Sequence, residues 1–213
     1  MYVPRTFEES DTEVLHGFIA SNPLATLVSL DGAGLYADHI PMLLSPANND
    51  GYVLQGHVAR ANPLWRRVGV RSGVLAVFQD PGVYITPSWY ASKAETHKVV
   101  PTWNYIAVHV HGHARAVEDP AWLEEFLGRL THANESHRPQ PWQLSDAPGD
   151  YIAAQLMAIV GIEISVSRLV GKWKVSQNRL PQDAEGVIAG LRATGDPAAL
   201  RMAEAVSGKK RKG

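Results

Sequence analysis

The stretch VPTWNYIAVHVHGHARAV, residues 100–117, decides how this chain is read. From Thr102 to Val117 the chain is long and β-rich enough for one strand, with Trp103 and Tyr105, two apart, on one face of it. A strand of that length bends around a barrel rather than crossing an open sheet. Upstream, Val74 to Phe78 and Val83 to Ile85 are also β-rich, with Thr86 to Val99 a polar loop between them and the long strand. Downstream, Asp119-Pro120 caps and opens a helix carrying Trp122, Leu123, Phe126, Leu127 and Leu130 on one face. A loop from His137 to Pro148, a helix near Tyr151 to Ile159 and a second long strand from Gly161 to Val175 follow.

Nearer the N-terminus, Ser10 and Glu13 have the form of a capping box ahead of Val14, Leu15, Phe18 and Ile19 at helical spacing. Leu24 to Leu30, Leu35 to Leu44 and Tyr52 to Val58 then form a three-strand meander punctuated by Asp31-Gly32 and the loop from Pro46 to Gly51. Asn62-Pro63 sets a cap and a first-turn proline before Leu64, Trp65 and Val68, a short helix that Gly69 ends. Six or seven strands with few helices, and early strands too close together for parallel crossovers, predict a mainly β, α+β fold. Its form is a closed or partly closed antiparallel barrel with short flanking helices. Residues 1–180 form this domain; residues 181–213, richer in Ala, Gly and charge, form a helical, partly disordered appendage ending in Lys209-Lys210-Arg211-Lys212.

The 213 residues are 45% hydrophobic, enough for a substantial core. Twenty basic against 21 acidic residues leave a formal charge of -1, so no global field draws the chain to nucleic acid or an anionic membrane. No window approaches the roughly 18 apolar residues of a membrane span, and the N-terminus lacks the apolar core of a signal peptide, which makes cytoplasmic the expected location. Absence of cysteine excludes disulfides, thiolate metal sites and a cysteine nucleophile.

Three constellations carry chemistry. In the first, QGHVARANP at residues 55–63, a strand runs through Arg60 into a capped helix, an arrangement suited to an anion. On spacing alone, a surface arginine beside an ordinary cap is the slightly preferred reading. The second joins YITPSWY at residues 84–90 to Lys93 and then to residues 100–105. Trp and Tyr offer planar area with a polar tip while Ser, Thr and Asn give directional hydrogen bonds, which suits a planar heteroaromatic ligand. Core packing explains Trp103 and Tyr105 as well, but accounts less well for Asn104 and residues 88–90. In the third, GKWKVSQNR at residues 171–179, alternation puts Lys172, Lys174 and Ser176 on one side of a strand, a second candidate phosphate or carboxylate contact, with a solvated edge the preferred reading. His109, His111 and His113 also alternate, but no carboxylate or cysteine completes a metal shell, and the non-metal reading is preferred. Neither a nucleophile elbow, a dinucleotide motif nor a P-loop is present.

Taken in order, Tyr2-Val3-Pro4, His39-Ile40-Pro41, residues 56–63, Pro87-Ser88-Trp89-Tyr90, residues 100–105, Gly161-Ile162-Glu163 and residues 174–178 resemble the PaiB-like family of FMN-binding negative transcriptional regulators. The resemblance runs to about Leu191 and rests on seven short motifs in one order. It implies a split-barrel flavoprotein related to pyridoxamine-phosphate oxidase, paired as a homodimer with FMN in the groove between protomers. By that resemblance Arg60 and the helix start at Asn62, beside His57, hold the phosphate. Trp89 and Lys93 belong to the site, Trp103 and Asn104 border the ring, and Lys174, Ser176 and Gln177 close it, with the partner protomer as one source. Burying ~200 Å² of ring gives only ~5 kcal/mol while micromolar binding needs ~8, so phosphate contacts have to supply the rest.

Three functions compete. An FMN-binding regulator would repress transcription directly or through a partner, although no helix-turn-helix or basic face supports direct DNA binding. A flavin-dependent oxidoreductase would act on a small molecule through the cofactor's chemistry. A split barrel without flavin would hold haem or another planar ligand, with His57 and the three alternating histidines in view.

Overall fold

The computed structural model describes residues 1–47, 51–69 and 72–210; Arg211 and Lys212 of the basic run lie outside them. In chain order the elements are β1 (Glu8–Glu9), α1 (Thr12–Ser21), β2 (Leu24–Asp31), β3 (Gly34–Pro41), β4 (Leu43–Pro46), β5 (Tyr52–Ala59), α2 (Leu64–Arg67), β6 (Ser72–Gln79) and β7 (Val83–Ile85). Then come α3 (Ser92–Thr96), β8 (Thr102–Val117), α4 (Pro120–Glu135), α5 (Gly149–Met157), β9 (Ile159–Lys174), α6 (Pro181–Ala193) and α7 (Pro197–Lys210). The fold is α+β, as the many strands and few helices of the sequence implied.

The chain divides into two compact units, and the long strands β8 and β9 contribute residues to both. Unit A comprises residues 1–15, 79–108 and 170–213; unit B comprises residues 16–78 and 109–169. The strand order is β3-β2-β6-β8-β9-β5-β4, with β1 beside β9 and β7 beside β8. In unit B, β2 pairs antiparallel with both β3 and β6, and β5 with both β4 and β9. Alternation puts Ala25 and Leu27 of β2, Ala76 and Phe78 of β6 and Ile162 and Ile164 of β9 into its buried interior, while α4 contributes Leu123 and Phe126. Gly161 is obligatory there: a Cβ at that position would lie 2.3 Å from the Trp122 ring, which stacks on Phe126.

Unit A buries Ile85, Ile106 and Val108 with Trp173, Val175 and the apolar faces of α6 (Val187, Leu191) and α7 (Met202, Val206). Its antiparallel β7–β8 pair aligns Tyr84 with Trp103. The Lys209 ammonium of α7 pairs with the buried Glu9 carboxylate of β1.

Several local details differ from the sequence reading. The cap of α1 is Asp11 rather than Ser10, because Asp11 Oδ1 accepts from Glu13 N at 3.0 Å and from Val14 N at 3.4 Å. The strand expected from Leu35 to Leu44 is broken at Met42, whose amide turns to the Pro23 carbonyl at 2.8 Å. Residues 86–99, read as a loop, contain a 3₁₀ turn at Pro87–Trp89 and the short helix α3.

Candidate functional site

The β5–α2 corner of unit B holds the first group of candidates. Arg60 Nε donates to the Met157 carbonyl at 2.9 Å, one terminal nitrogen donates to the Ile159 carbonyl at 3.2 Å, and the other pairs with Glu118 at 2.6 Å. The Arg60 carbonyl accepts from the Trp65 indole at 2.9 Å. Asn62 is equally occupied: Oδ1 accepts from Leu64 N at 2.8 Å and Nδ2 donates to Asp38 at 2.8 Å. α2 has four residues, too few to sum a useful dipole. The guanidinium expected to hold a phosphate therefore has a carboxylate partner and fastens α2 to the ends of α5 and β9. His57 packs edge-on against Phe126, and burial holds its imidazole below the ordinary histidine value, so it is neutral at pH 7.

The β8–β9 end of unit A holds the second group. Lys174 Nζ donates to the Thr102 hydroxyl and to the Trp103 carbonyl, which leaves one ammonium proton open. Burial holds this ammonium below the ordinary lysine value, and the neighbouring Lys172 and Arg179 charges push it further. Among the described residues no ion pair joins Lys172, Lys174 or Arg179 to a carboxylate. Lys172 itself is buried, donates to the Tyr2 carbonyl at 3.2 Å and lies over the Tyr105 ring, so this strand is not a solvated edge.

Beside Lys174 stands an uncovered aromatic pair. Trp103 is 56% exposed and Tyr84 46%, with ring centroids 6.0 Å apart in edge-on contact. Asn104, which points the other way, is 1% exposed and donates to the Ser176 hydroxyl at 2.9 Å. Ser176 adopts φ 62, a left-handed conformation that a side chain adopts only when its surroundings hold it. Gln177 supplies part of that hold: it accepts from Val175 N at 2.8 Å and donates to the Trp173 carbonyl, so its amide braces the turn and does not face outward. Lys93 and Ser88 are exposed and 3.3 Å apart, while Trp89 packs against α6.

The structure thus places Trp89, Lys93, Trp103, Asn104, Lys174, Ser176 and Gln177 in unit A and His57, Arg60 and Asn62 in unit B. Thr102 lies inside the stretch singled out in sequence but was not named for the site, because nothing local in sequence signals a lysine partner 72 positions away. His111 Nε2 lies 3.2 Å from the Arg168 guanidinium, and among the described residues no three of His, Asp and Glu are close enough to hold a metal.

The family described as "Putative FMN-binding domain" matches residues 1–168. Protease synthase and sporulation protein PAI 2 of Bacillus subtilis is 34% identical over 212 residues, which covers 100% of this chain and 99% of that protein. The chain belongs to the PaiB-like FMN-binding family. The family's cofactor is FMN, and this is an FMN-binding protein. Among solved structures, the FAD and heme binding protein from Mycobacterium smegmatis superposes with a TM-score of 0.58 at 14% identity, covering 78% of this chain and 73% of that one. The flavocytochrome Anf3 from Azotobacter vinelandii does so with 0.55 at 15% identity, covering 84% and 79%. These show the shared split-barrel fold.

The unit A donor set fits FMN. A half-buried ammonium among further cations suits a phosphate, and the adjacent exposed aromatic surface suits a planar ring.

Proposed function

We propose that FMN binds on unit A with its phosphate at Lys174 and Thr102 and its ring against Trp103 and Tyr84, and that the loaded protein acts as a PaiB-type negative regulator through a partner protein. The observation that carries the binding site is Lys174: a confined cation with an open proton and, among the described residues, no ion pair to a carboxylate. Asn104, Ser176 and Gln177 serve behind it as the brace that fixes the turn. Bound FMN supplies reversible one- and two-electron chemistry. This chain orients the ring, screens one face with aromatic carbon and neutralises the phosphate.

The regulatory half rests on the full-length likeness to the Bacillus sporulation protein. The net charge of -1 favours a protein partner over direct operator contact. Exposed Leu24, Leu30 and Leu35 along β2 and β3 support pairing into a homodimer. We place the protein in the cytoplasm, where regulation of this kind operates; no helix among the described residues is long and apolar enough to cross a membrane.

The test compares FMN with riboflavin, which lacks the phosphate. A charge-assisted bond is worth about 1.5–3 kcal/mol, so Lys174→Met is expected to weaken FMN at least about tenfold while leaving riboflavin nearly unchanged. Equal binding of FMN by the variant and the parent protein would overturn the site. Binding of DNA by the loaded protein with a steep salt dependence would overturn action through a partner.

A further inference from the structure

Away from the flavin candidates, unit B has a groove of about 640 Å³ between α4 and the segment that follows it, inside the size range of small-molecule sites. Its floor is one face of α4, with Glu124, Gly128 and His132 at four-residue spacing, and its wall carries Ser136, Trp142 and Leu144. Leu123 and Phe126 of the same helix are buried in the interior, so the groove lies on the helix's other side.

Two features keep this space open. Gly128 sits in mid-helix, where glycine is the poorest former after proline, yet a Cβ there would meet nothing within 4 Å and its backbone is not left-handed. Neither crowding nor conformation calls for glycine, and a larger side chain would enter the groove. The wall is held at both ends: Glu135 accepts from Trp142 N at 3.3 Å and pairs with Arg138 at 3.0 Å, while Gln143 N donates to Asp146 at 2.9 Å. Trp142 thus has a fixed backbone and an indole that lines the groove while 46% exposed.

Charge decides what fits. Residues 118–150 contain seven acidic and two basic side chains. Both basic ones, Arg129 and Arg138, are paired with Glu125 and Glu135, and among the described residues no ion pair engages Glu124. An anion would meet the Glu124 carboxylate with no free cation to answer it, whereas a cation gains from that carboxylate and from the indole face. A second groove of about 390 Å³ shares Glu124 and Leu144 and is lined further by Ile152 and Leu156 of α5, which gives room for an apolar extension.

We propose that the α4 groove binds a flat organic cation, with its ring on the Trp142 indole and its charge at Glu124. The groove belongs wholly to unit B, so the inference stands apart from the placement of FMN on unit A and gives the protein a ligand input separate from its flavin.

The experiment dialyses the FMN-loaded full-length protein against proflavine, a three-ring cation, and against anthracenecarboxylate, an anion on a frame of similar size. Saturable binding of proflavine below about 1 mM, and none of the anion, is expected. Trp142→Ala and Gly128→Leu are expected to weaken proflavine about tenfold and Glu124→Gln about fivefold, the order of a cation–π contact and of an exposed ion pair. Bound FMN should be unchanged in all three. Equal uptake of both probes, no saturable uptake of proflavine, or a loss that follows Trp103→Ala and none of the groove variants would each overturn the proposal. Should Gly128→Leu not fold, Trp142→Ala and Glu124→Gln, both at exposed positions, carry the same comparison.

Discussion

Arg60 and Lys174 are both cations beside a turn at the end of a strand, and their surroundings differ. Arg60 has two carbonyls and a carboxylate in its fork, so its charge is already answered and its geometry fixed. Lys174 has a hydroxyl and a carbonyl, two cations nearby and, among the described residues, no ion pair to a carboxylate. A positive side chain reports a binding site when its environment leaves the charge unanswered, and residue type alone cannot tell the two cases apart.

The comparison breaks most visibly at Gly161. Valine there would drive a methyl group into the Trp122 ring beside the Ile159 carbonyl that holds Arg60, and urea melts are expected to show a loss of about 3 kcal/mol. FMN affinity per folded molecule should not change. Arg60→Ala is the narrower cut. It orphans two carbonyls and the Glu118 carboxylate, all of them partly wet, so a loss of about 1–2 kcal/mol is expected in the same melts, again with FMN affinity retained.

The smallest effect has the most informative sign. Because Lys174 is held below the ordinary value near 10.5, the folded protein releases this proton before the unfolded chain does. Below both values the confined charge penalises folding in full; between them stability rises with pH until the penalty is gone. FMN-free Lys174→Met is therefore expected to melt higher than the parent protein at pH 7, by less than about 1 kcal/mol, with the difference shrinking as pH approaches 10.5. Affinity for FMN should fall through the same window as the ammonium is lost. A variant that melts lower at pH 7 would mean that Lys174 stabilises the fold and awaits no anion.

Much of the fold was legible because periodicity survives packing. Residues 102–117 are β-rich in sequence and become β8, and Asp119-Pro120 caps and opens α4 as composition suggested, with Asp119 accepting from Ala121 N at 3.0 Å. The long strand through Leu44 was misread since only the Pro23 carbonyl reveals why Met42 leaves the ladder. Site residues divide along the same line. Trp103 and Lys174 stand out by type and position, yet a sequence cannot show that Arg60 meets Glu118, or that Asp183 receives Ser92 from 91 positions away. Long-range partners decide whether a polar residue is free to bind, and they are the part of the argument that only three dimensions supply.

The most direct measurement is a crystal structure of the protein with FMN. The expected result has the phosphate within hydrogen-bond distance of Lys174 Nζ and the Thr102 hydroxyl, the ring against Trp103, and Arg60 still on Glu118. A phosphate seated at the β5–α2 corner, with the Arg60 guanidinium turned from Glu118 onto it, would contradict the account.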